Sequence, residues 1–319
     1  MIFNVIIFIA SCFMLSWLSS HLVKTLVAIA KFLHWREFVT AFFIMAFATS
    51  LPNLFVDVSA AFNKMPELAF GDIMGGNLVD LTLVMALAIL LSKKPIESDS
   101  KMVQKSALFT CAIAVLPMLL IMDGGLNRAD GLVLIGSFFI YGFWLFAKGD
   151  RFKKNYSGRP QKPIAGFWEF FKNIFKMMVL LGLLLATSQI VINSAQFFSI
   201  QLGVSLSLVG VLIVGLANCF PETYFSAVSA IKGEGYMVLG DLMGSVVVCA
   251  SLVLGIVALV APFTITNFSP FLIARAFSIL AIVFFLFVVR SDKKLTKKEG
   301  ILLLFIYIAF LLTEIFLPR

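Results

Sequence analysis

Two stretches of this chain repeat one another. ATSLPNLFVDVSAAFNKMPELAFGDIMGGNLVDLTLV (48–84) aligns without a gap on ANCFPETYFSAVSAIKGEGYMVLGDLMGSVVVCASLV (217–253), at a constant offset of 169 residues. Pro52 falls on Pro221, Gly71-Asp72 on Gly240-Asp241, Met74-Gly75 on Met243-Gly244, and Asn53 on Glu222. Shared greasiness aligns Leu with Val; it does not bring Pro, Gly and Asp into register. The chain therefore carries an internal duplication.

The solvent for that duplication is lipid. Of 319 residues 61% are hydrophobic and only 13% charged, against roughly one quarter charged in soluble domains, and the mean hydropathy is +1.03. Segments near the ~20 residues needed to cross a bilayer lie around 3–23, 38–62, 68–92, 103–122, 129–147, 173–196, 205–230, 236–261, 268–289 and 300–317. Basic residues collect in alternate connections: Lys93, Lys94, Lys101 and Lys105, then Arg151, Lys153, Lys154, Arg159 and Lys162, then Arg290, Lys293, Lys294, Lys297 and Lys298. The intervening connections hold little beyond Lys64 and Arg128. The positive-inside rule puts the basic loops in the cytoplasm and both termini outside, with the plasma membrane as the expected location.

The second and seventh segments, five spans apart, then run in opposite directions, so the two copies are inverted. The expected fold is an all-α membrane protein of about ten transmembrane helices in two inverted five-helix repeats. The first repeat is read as 1–148 with its duplicated core at about 46–84, a basic linker as 149–166, and the second repeat as 167–319 with its core at about 215–253. Inverted repeats with interrupted helices are typical of secondary transporters whose site lies where the copies meet. Channels are also built this way, so the pattern leaves exchanger and pore both open.

Several features are accounted for without special chemistry. Loop anchoring explains the net charge of +8, and nothing points to nucleic acid. Cys12, Cys111, Cys219 and Cys249 lie in apolar segments without paired spacing, which fits neither a disulfide framework nor a zinc site. His21 and His34 flank the end of the first span and read as interfacial. MIFNVIIFIASCF lacks a basic leader region and reads as a retained first span. Arg275, inside the ninth span, is expected to snorkel, with an acid as its alternative partner. No signature of an oligomeric state is present.

The repeat core interrupts apolar helix with Thr49, Ser50, Pro52, Asn53 and Asp57. Proline inside a helix costs ~3 kcal/mol and leaves a carbonyl without its donor, here Ala48 and Ala217. Free carbonyls at membrane depth are tolerated only where protein, water or an ion satisfies them. With carboxylates and hydroxyls they form an oxygen shell suited to hard cations such as Na⁺ or Ca²⁺. One such proline is often only a packing kink; two in register beside polar residues point to a site. Asn53 and Asp57 share a helical face, as do Asp72, Gly76 and Asp80, and as do Asp241, Ser245 and Cys249. Asp80 and Glu222 lie near mid-span, where solvation is least available. Asp72 and Asp241 follow glycines near span starts, where capping a helix is the alternative role, and Asp57 lies far enough out to be a wetted interfacial acid.

These residues resemble the cation/Ca²⁺ exchanger superfamily, which includes the Na⁺/Ca²⁺ exchangers. Its hallmark is two inverted repeats, each with a pattern like G-T-S-x-P-E followed by G-N-x-x-G-S-N-x-x-(N/D). Here the first copy reads Ala48-Thr49-Ser50-Leu51-Pro52-Asn53, then Gly71-Asp72-Ile73-Met74-Gly75-Gly76-Asn77-Leu78-Val79-Asp80. The second reads Ala217-Asn218-Cys219-Phe220-Pro221-Glu222, then Gly240-Asp241-Leu242-Met243-Gly244-Ser245-Val246-Val247-Val248-Cys249. The resemblance implies Ca²⁺ and Na⁺ as substrates, no cofactor, no enzymatic activity and a lipid-embedded site. The family's paired glutamates correspond to Asn53 and Glu222, and its Thr-Ser pairs to Thr49-Ser50 and Asn218-Cys219. Its carbonyl ligands correspond to Ala46 and Gly215, and its third- and eighth-span ligands to Gly76, Asp80, Ser245 and Cys249.

This chain departs from that pattern. Asn53 leaves the central pair one charge short, Cys219 and Cys249 offer sulfur where hard cations want oxygen, and Gly76 offers no side chain. Asp80 is acidic, and Asp57 stands where the family commonly has a small hydroxyl residue, as Ser226 does in the second copy. The carboxylates thus look rearranged. The leading expectation is Na⁺/Ca²⁺ antiport; H⁺-coupled or other divalent exchange and a degenerate, non-transporting relative are the alternatives. An intramembrane aspartyl protease built on Asp72 and Asp241 lacks the glycine its GxGD pattern requires, since the acids stand in A-F-G-D and V-L-G-D.

Overall fold

The computed structural model describes residues 2–32, 47, 49–147, 163–265, 269–291 and 293–316. Ala46, Ala48, His34, the first part of the second expected span and the basic linker's 149–162 lie outside the described residues.

Among the described residues ten helical segments follow one another: α1 (Ile2–Phe32), α2 (Leu51–Phe62), α3 (Pro66–Leu91), α4 (Lys101–Leu120), α5 (Arg128–Ala147), α6 (Pro163–Leu202), α7 (Leu206–Lys232), α8 (Gly235–Val260), α9 (Ser269–Ser291) and α10 (Lys297–Phe316). Among the described residues eight are long and apolar enough to cross a membrane; α2 is shorter, and α10 is a 20-residue apolar helix. α1 and α6 exceed the expected spans. At 1.5 Å per residue the 40 residues of α6 reach about 60 Å, twice the hydrocarbon thickness. The two pack lengthwise on one another and turn Phe3, Trp17, Phe175 and Met178 outward, toward lipid. Because α1 continues to Phe32, His21 sits within the helix rather than at its end. Its Nδ1 lies 2.9 Å from the Trp17 carbonyl and its ring 4.2 Å from the indole.

α3 and α8, by contrast, are buried on nearly every face. Glycine makes this possible on α3. A Cβ built on Gly71 would stand 2.4 Å from the Ser207 carbonyl oxygen, and one on Gly75 would stand 2.2 Å from that of Val211. The facing Gly210 and Gly215 of α7 have the same property toward α3, at 2.5 Å from the Leu68 carbonyl and 2.7 Å from the Gly76 nitrogen. Small residues four apart let membrane helices approach backbone to backbone. The first half of α3 therefore lies directly on the first half of α7, one helix from each repeat.

The remaining packing keeps the two-fold relation. α2 packs on the second half of α8, and the part of α7 after its break packs on the second half of α3. Two short antiparallel pairings do the same outside the helices. Ile96–Glu97 (β1) pairs with Lys294–Leu295 (β4), and Gly125–Leu126 (β2) with Phe263–Thr264 (β3). The first pairing joins two lysine-rich connections, with Ser98 N–H donating to the Lys293 carbonyl at 2.8 Å, so these basic loops share one face of the molecule.

Arg275 Nη2 donates to the Met118 carbonyl at 3.0 Å, in the last turn of α4. Among the described residues this backbone acceptor, and no acid, partners the guanidinium.

Candidate cation-binding site

Each repeat core breaks just before its proline. Ser50 (φ −78°, ψ −1°) precedes Leu51-Pro52 at the start of α2, and Cys219 (φ −80°, ψ 7°) interrupts α7 before Phe220-Pro221. Proline fits the first turn of the new helix, where its missing N–H costs nothing. The break turns Thr49, Ser50 and Asn53 toward α8, and Asn218, Cys219 and Glu222 toward α3.

What they meet there repeats by symmetry. Thr49 Oγ1 donates to Asp241 Oδ1 at 3.1 Å, and its counterpart Asn218 Nδ2 donates to Asp72 Oδ2 at 2.5 Å. Ser50 Oγ donates to Ser245 Oγ at 3.2 Å, and its counterpart Cys219 Sγ to the Gly76 carbonyl at 3.5 Å. Asn53 Nδ2 approaches Cys249 Sγ at 3.3 Å, while Glu222 and Asp80, the corresponding pair, are two carboxyls that both reach Ser245. Apart from Glu222 with Ser245, every one of these contacts crosses between repeats. The polar residues of the two repeat cores therefore meet at the two-fold interface.

Glu222 and Asp80 sit at the middle of this arrangement. Glu222 is fully buried, with Oε1 accepting from Ser245 Oγ at 3.2 Å and Oε2 without a partner. The Asp80 carboxyl lies beside Cys219 and Ser245, and its Oδ1 is likewise unpartnered. Asn53 Oδ1 and Asn218 Oδ1 are buried and unpartnered too. Four such oxygens, two of them on carboxylates, are costly at this depth unless something positive answers them. The Gly215 carbonyl oxygen faces the same region, 3.8 Å from where a Gly76 Cβ would stand. Among the described residues no three His, Cys, Asp or Glu side chains close on one point, so a cation's oxygens would come from mixed acids, amides, hydroxyls and carbonyls. That set suits a hard cation.

Asp57, Asp72 and Asp241 are not the wetted or capping acids that their positions allowed. All three are buried, and Asp72 and Asp241 lie six residues inside their helices. Nor do Asp72 and Asp241 face each other as a protease dyad would; each binds partners of its own, Asp241 also accepting from Ser226 Oγ at 3.5 Å.

Comparison with known proteins places this geometry. The family model described as sodium/calcium exchanger protein matches residues 3–147 and again 172–316. The chain belongs to the sodium/calcium exchanger family. Among similar proteins, the sodium/calcium exchanger MaX1 of Methanosarcina acetivorans is 22% identical over 92% of this chain and 93% of its own. The inner membrane protein YrbG of Escherichia coli is also 22% identical, over 82% and 81%. A solved structure of the sodium-calcium exchanger NCX_Mj, soaked with Na⁺ and Sr²⁺, superposes with a TM-score of 0.67 at 22% identity, covering 97% of this chain and 98% of that one. The fold is thus that of two inverted five-helix repeats, in a multi-pass membrane protein.

One feature of this family member escaped the sequence pattern. Four-residue spacing treats α3 and α8 as uniform α-helix, yet both pass into a π-helical turn at the site, Asp80–Val84 and Val248–Val253, and α7 does so at Gly210–Val214. π-turns inside α-helices are frequent at functional positions because they re-aim side chains and loosen the backbone ladder. The first two begin around Asp80 and Cys249, the symmetry-related residues that face Glu222 and Asn53. No residue type marks a π-turn; only the repeat alignment, by pairing Asp80 with Cys249, singles the position out.

Proposed function

We propose that this chain is a secondary-active cation antiporter exchanging Na⁺ for Ca²⁺ by alternating access at the two-fold interface. The observation that carries the reading is the buried Glu222–Asp80 pair, with a free oxygen on each carboxylate, inside a chain that matches the exchanger family in both halves. Glu222 and Asp80 supply the charge. Thr49, Ser50, Asn53, Asn218 and Ser245, with the Gly215 and Ala46 carbonyls, complete the oxygen set. Gly76, Cys219 and Cys249 shape it without adding oxygen side chains. Two carboxylates balance either one divalent ion or two monovalent ions, so the two cargoes compete for one cage and only loaded forms cross.

In the cell the protein is placed in the plasma membrane, with both termini outside and the joined basic loops facing the cytoplasm. The first repeat is assigned to 1–148 and the second to 167–319, with the basic linker at 149–166 between them. The test is ⁴⁵Ca²⁺ uptake into proteoliposomes with and without an imposed Na⁺ gradient. Uptake that follows the Na⁺ gradient supports the reading. Uptake that ignores Na⁺ but follows an imposed pH gradient replaces Na⁺ by H⁺, and no uptake under either gradient refutes antiport of Ca²⁺.

A further inference from the structure

Two of the four cysteines stand where the first repeat has oxygen. Cys219 occupies the place that Ser50 holds in the first copy, and Cys249 the place that Asp80 holds. All four cysteines are free, and a buried free cysteine ordinarily packs as a small apolar side chain. These two do not. Cys219, 1% exposed, turns its Sγ to the Gly76 carbonyl at 3.5 Å, and Cys249, 2% exposed, meets Asn53 Nδ2 at 3.3 Å. Gly76 puts bare backbone against the sulfur, at the place where Ser245 in the second repeat answers Ser50 with a hydroxyl. Both thiols flank the same acid. Cys219 lies three residues before Glu222 on α7. Cys249 lies one turn after Ser245, the hydroxyl that donates to Glu222 Oε1 at 3.2 Å. Glu222 Oε2 and Asp80 Oδ1 are buried without partners, and so is the Oδ1 of the Asn53 amide that meets Cys249.

We infer that Cys219 and Cys249 turn this cage toward thiophilic divalent cations of the Cd²⁺ and Zn²⁺ class, as the soft ligands of a shell otherwise made of carboxylate, hydroxyl and amide oxygens. The inference rests on the proposed cation cage and deepens it, by naming the class of divalent ion that the cage prefers. Ca²⁺ takes about 6–8 oxygen ligands. Sulfur at two positions is a loss for that ion and a gain for one that bonds thiolate. Zn²⁺ is satisfied by about four donors, sulfur and carboxylate among them. On binding, the S–H bond gives way to a metal–sulfur bond, and the thiol proton passes to the water that the ion sheds.

The test measures ¹⁰⁹Cd²⁺ and ⁴⁵Ca²⁺ binding to the purified full chain in detergent, together with the ultraviolet thiolate-to-metal charge-transfer band. Cys219→Ser copies the hydroxyl that the first repeat already carries at Ser50, and Cys249→Ser removes the other sulfur. Each is expected to weaken Cd²⁺ binding about tenfold and to lose part of the band. Each is also expected to hold or raise ⁴⁵Ca²⁺ binding, which a misfolded variant does not do. Cys111, whose thiol donates to the Ile282 carbonyl at 3.7 Å, supplies the control, and Cys111→Ser is expected to change neither Cd²⁺ binding nor the band. Cd²⁺ affinity and band equal to the natural chain's in both Cys219→Ser and Cys249→Ser would overturn the inference, as would a band that only Cys111→Ser removes. Failure of the antiport reading shows separately, as ⁴⁵Ca²⁺ and ¹⁰⁹Cd²⁺ binding that Glu222→Gln leaves intact.

Discussion

Gly75→Ala adds a single methyl group to a helix interior, where alanine is ordinarily the better residue. Here its Cβ would lie 2.2 Å from the Val211 carbonyl oxygen, 2.7 Å from Val211 Cα and 2.8 Å from its carbonyl carbon. Ordinary contact begins near 3.4 Å, so α3 and α7 must separate by about 1 Å. No side chain can rotate out of the way, since every obstructing atom is backbone. Over-packing costs roughly 1–3 kcal/mol where side chains adjust, and this case belongs at or above the top of that range. The same displacement pulls Gly76 away from Cys219, whose Sγ–carbonyl contact is 3.5 Å, and opens the site from one side. Gly136→Ala in α5 is the control, because its Cβ meets nothing within 4 Å and the helix gains about 0.5–1 kcal/mol from losing a glycine. Thermal unfolding of both purified variants in one detergent compares them directly. Gly136→Ala is expected to melt at or above the natural protein, and Gly75→Ala several degrees below it with transport reduced. Equal melting temperatures would refute the claim that the two repeats touch backbone to backbone at Gly75.

Glu222→Gln is expected to leave the fold largely intact, since an amide replaces the carboxyl atom for atom, yet to abolish divalent transport; wild-type ⁴⁵Ca²⁺ flux in that variant moves the site elsewhere. Asp80→Asn should weaken divalent binding by at least tenfold, because a divalent ion shielded from water needs more than one formal charge close by. Unchanged Ca²⁺ affinity there, with loss in Asp57→Asn, would transfer the second charge to Asp57. Asn53→Glu places a third acid beside Glu222 and Asp80, and should either raise the number of Na⁺ coupled per divalent ion or make transport steeply pH-dependent by holding a proton on the cluster. Membrane current at matched flux reads the charge per cycle, and values identical to the natural protein across pH would remove Asn53 from the site.

Much of this architecture was legible in the residues themselves. Hydropathy divides the chain into ten apolar segments because lipid leaves a backbone few alternatives to helix. The alternating lysine clusters and the register of Pro52 on Pro221 supply inversion and duplication, since both are counted along the chain. Which residues are chemically suited to a cation was legible for the same reason: a buried Asp or Glu in an apolar span is expensive wherever it points. The direction in which each one points was not. That Thr49 reaches Asp241 rather than Asp72, and that Arg275 reaches the last turn of α4, depend on contacts between distant segments. The π-turns at Asp80 and Val248 rotate side chains off the α-helical face that four-residue spacing assigns them. Helical periodicity is a local rule, set by hydrogen bonds four residues apart. The meeting of the two repeats is set by glycines that let α3 and α7 touch, and only the assembled bundle decides which acids are brought face to face.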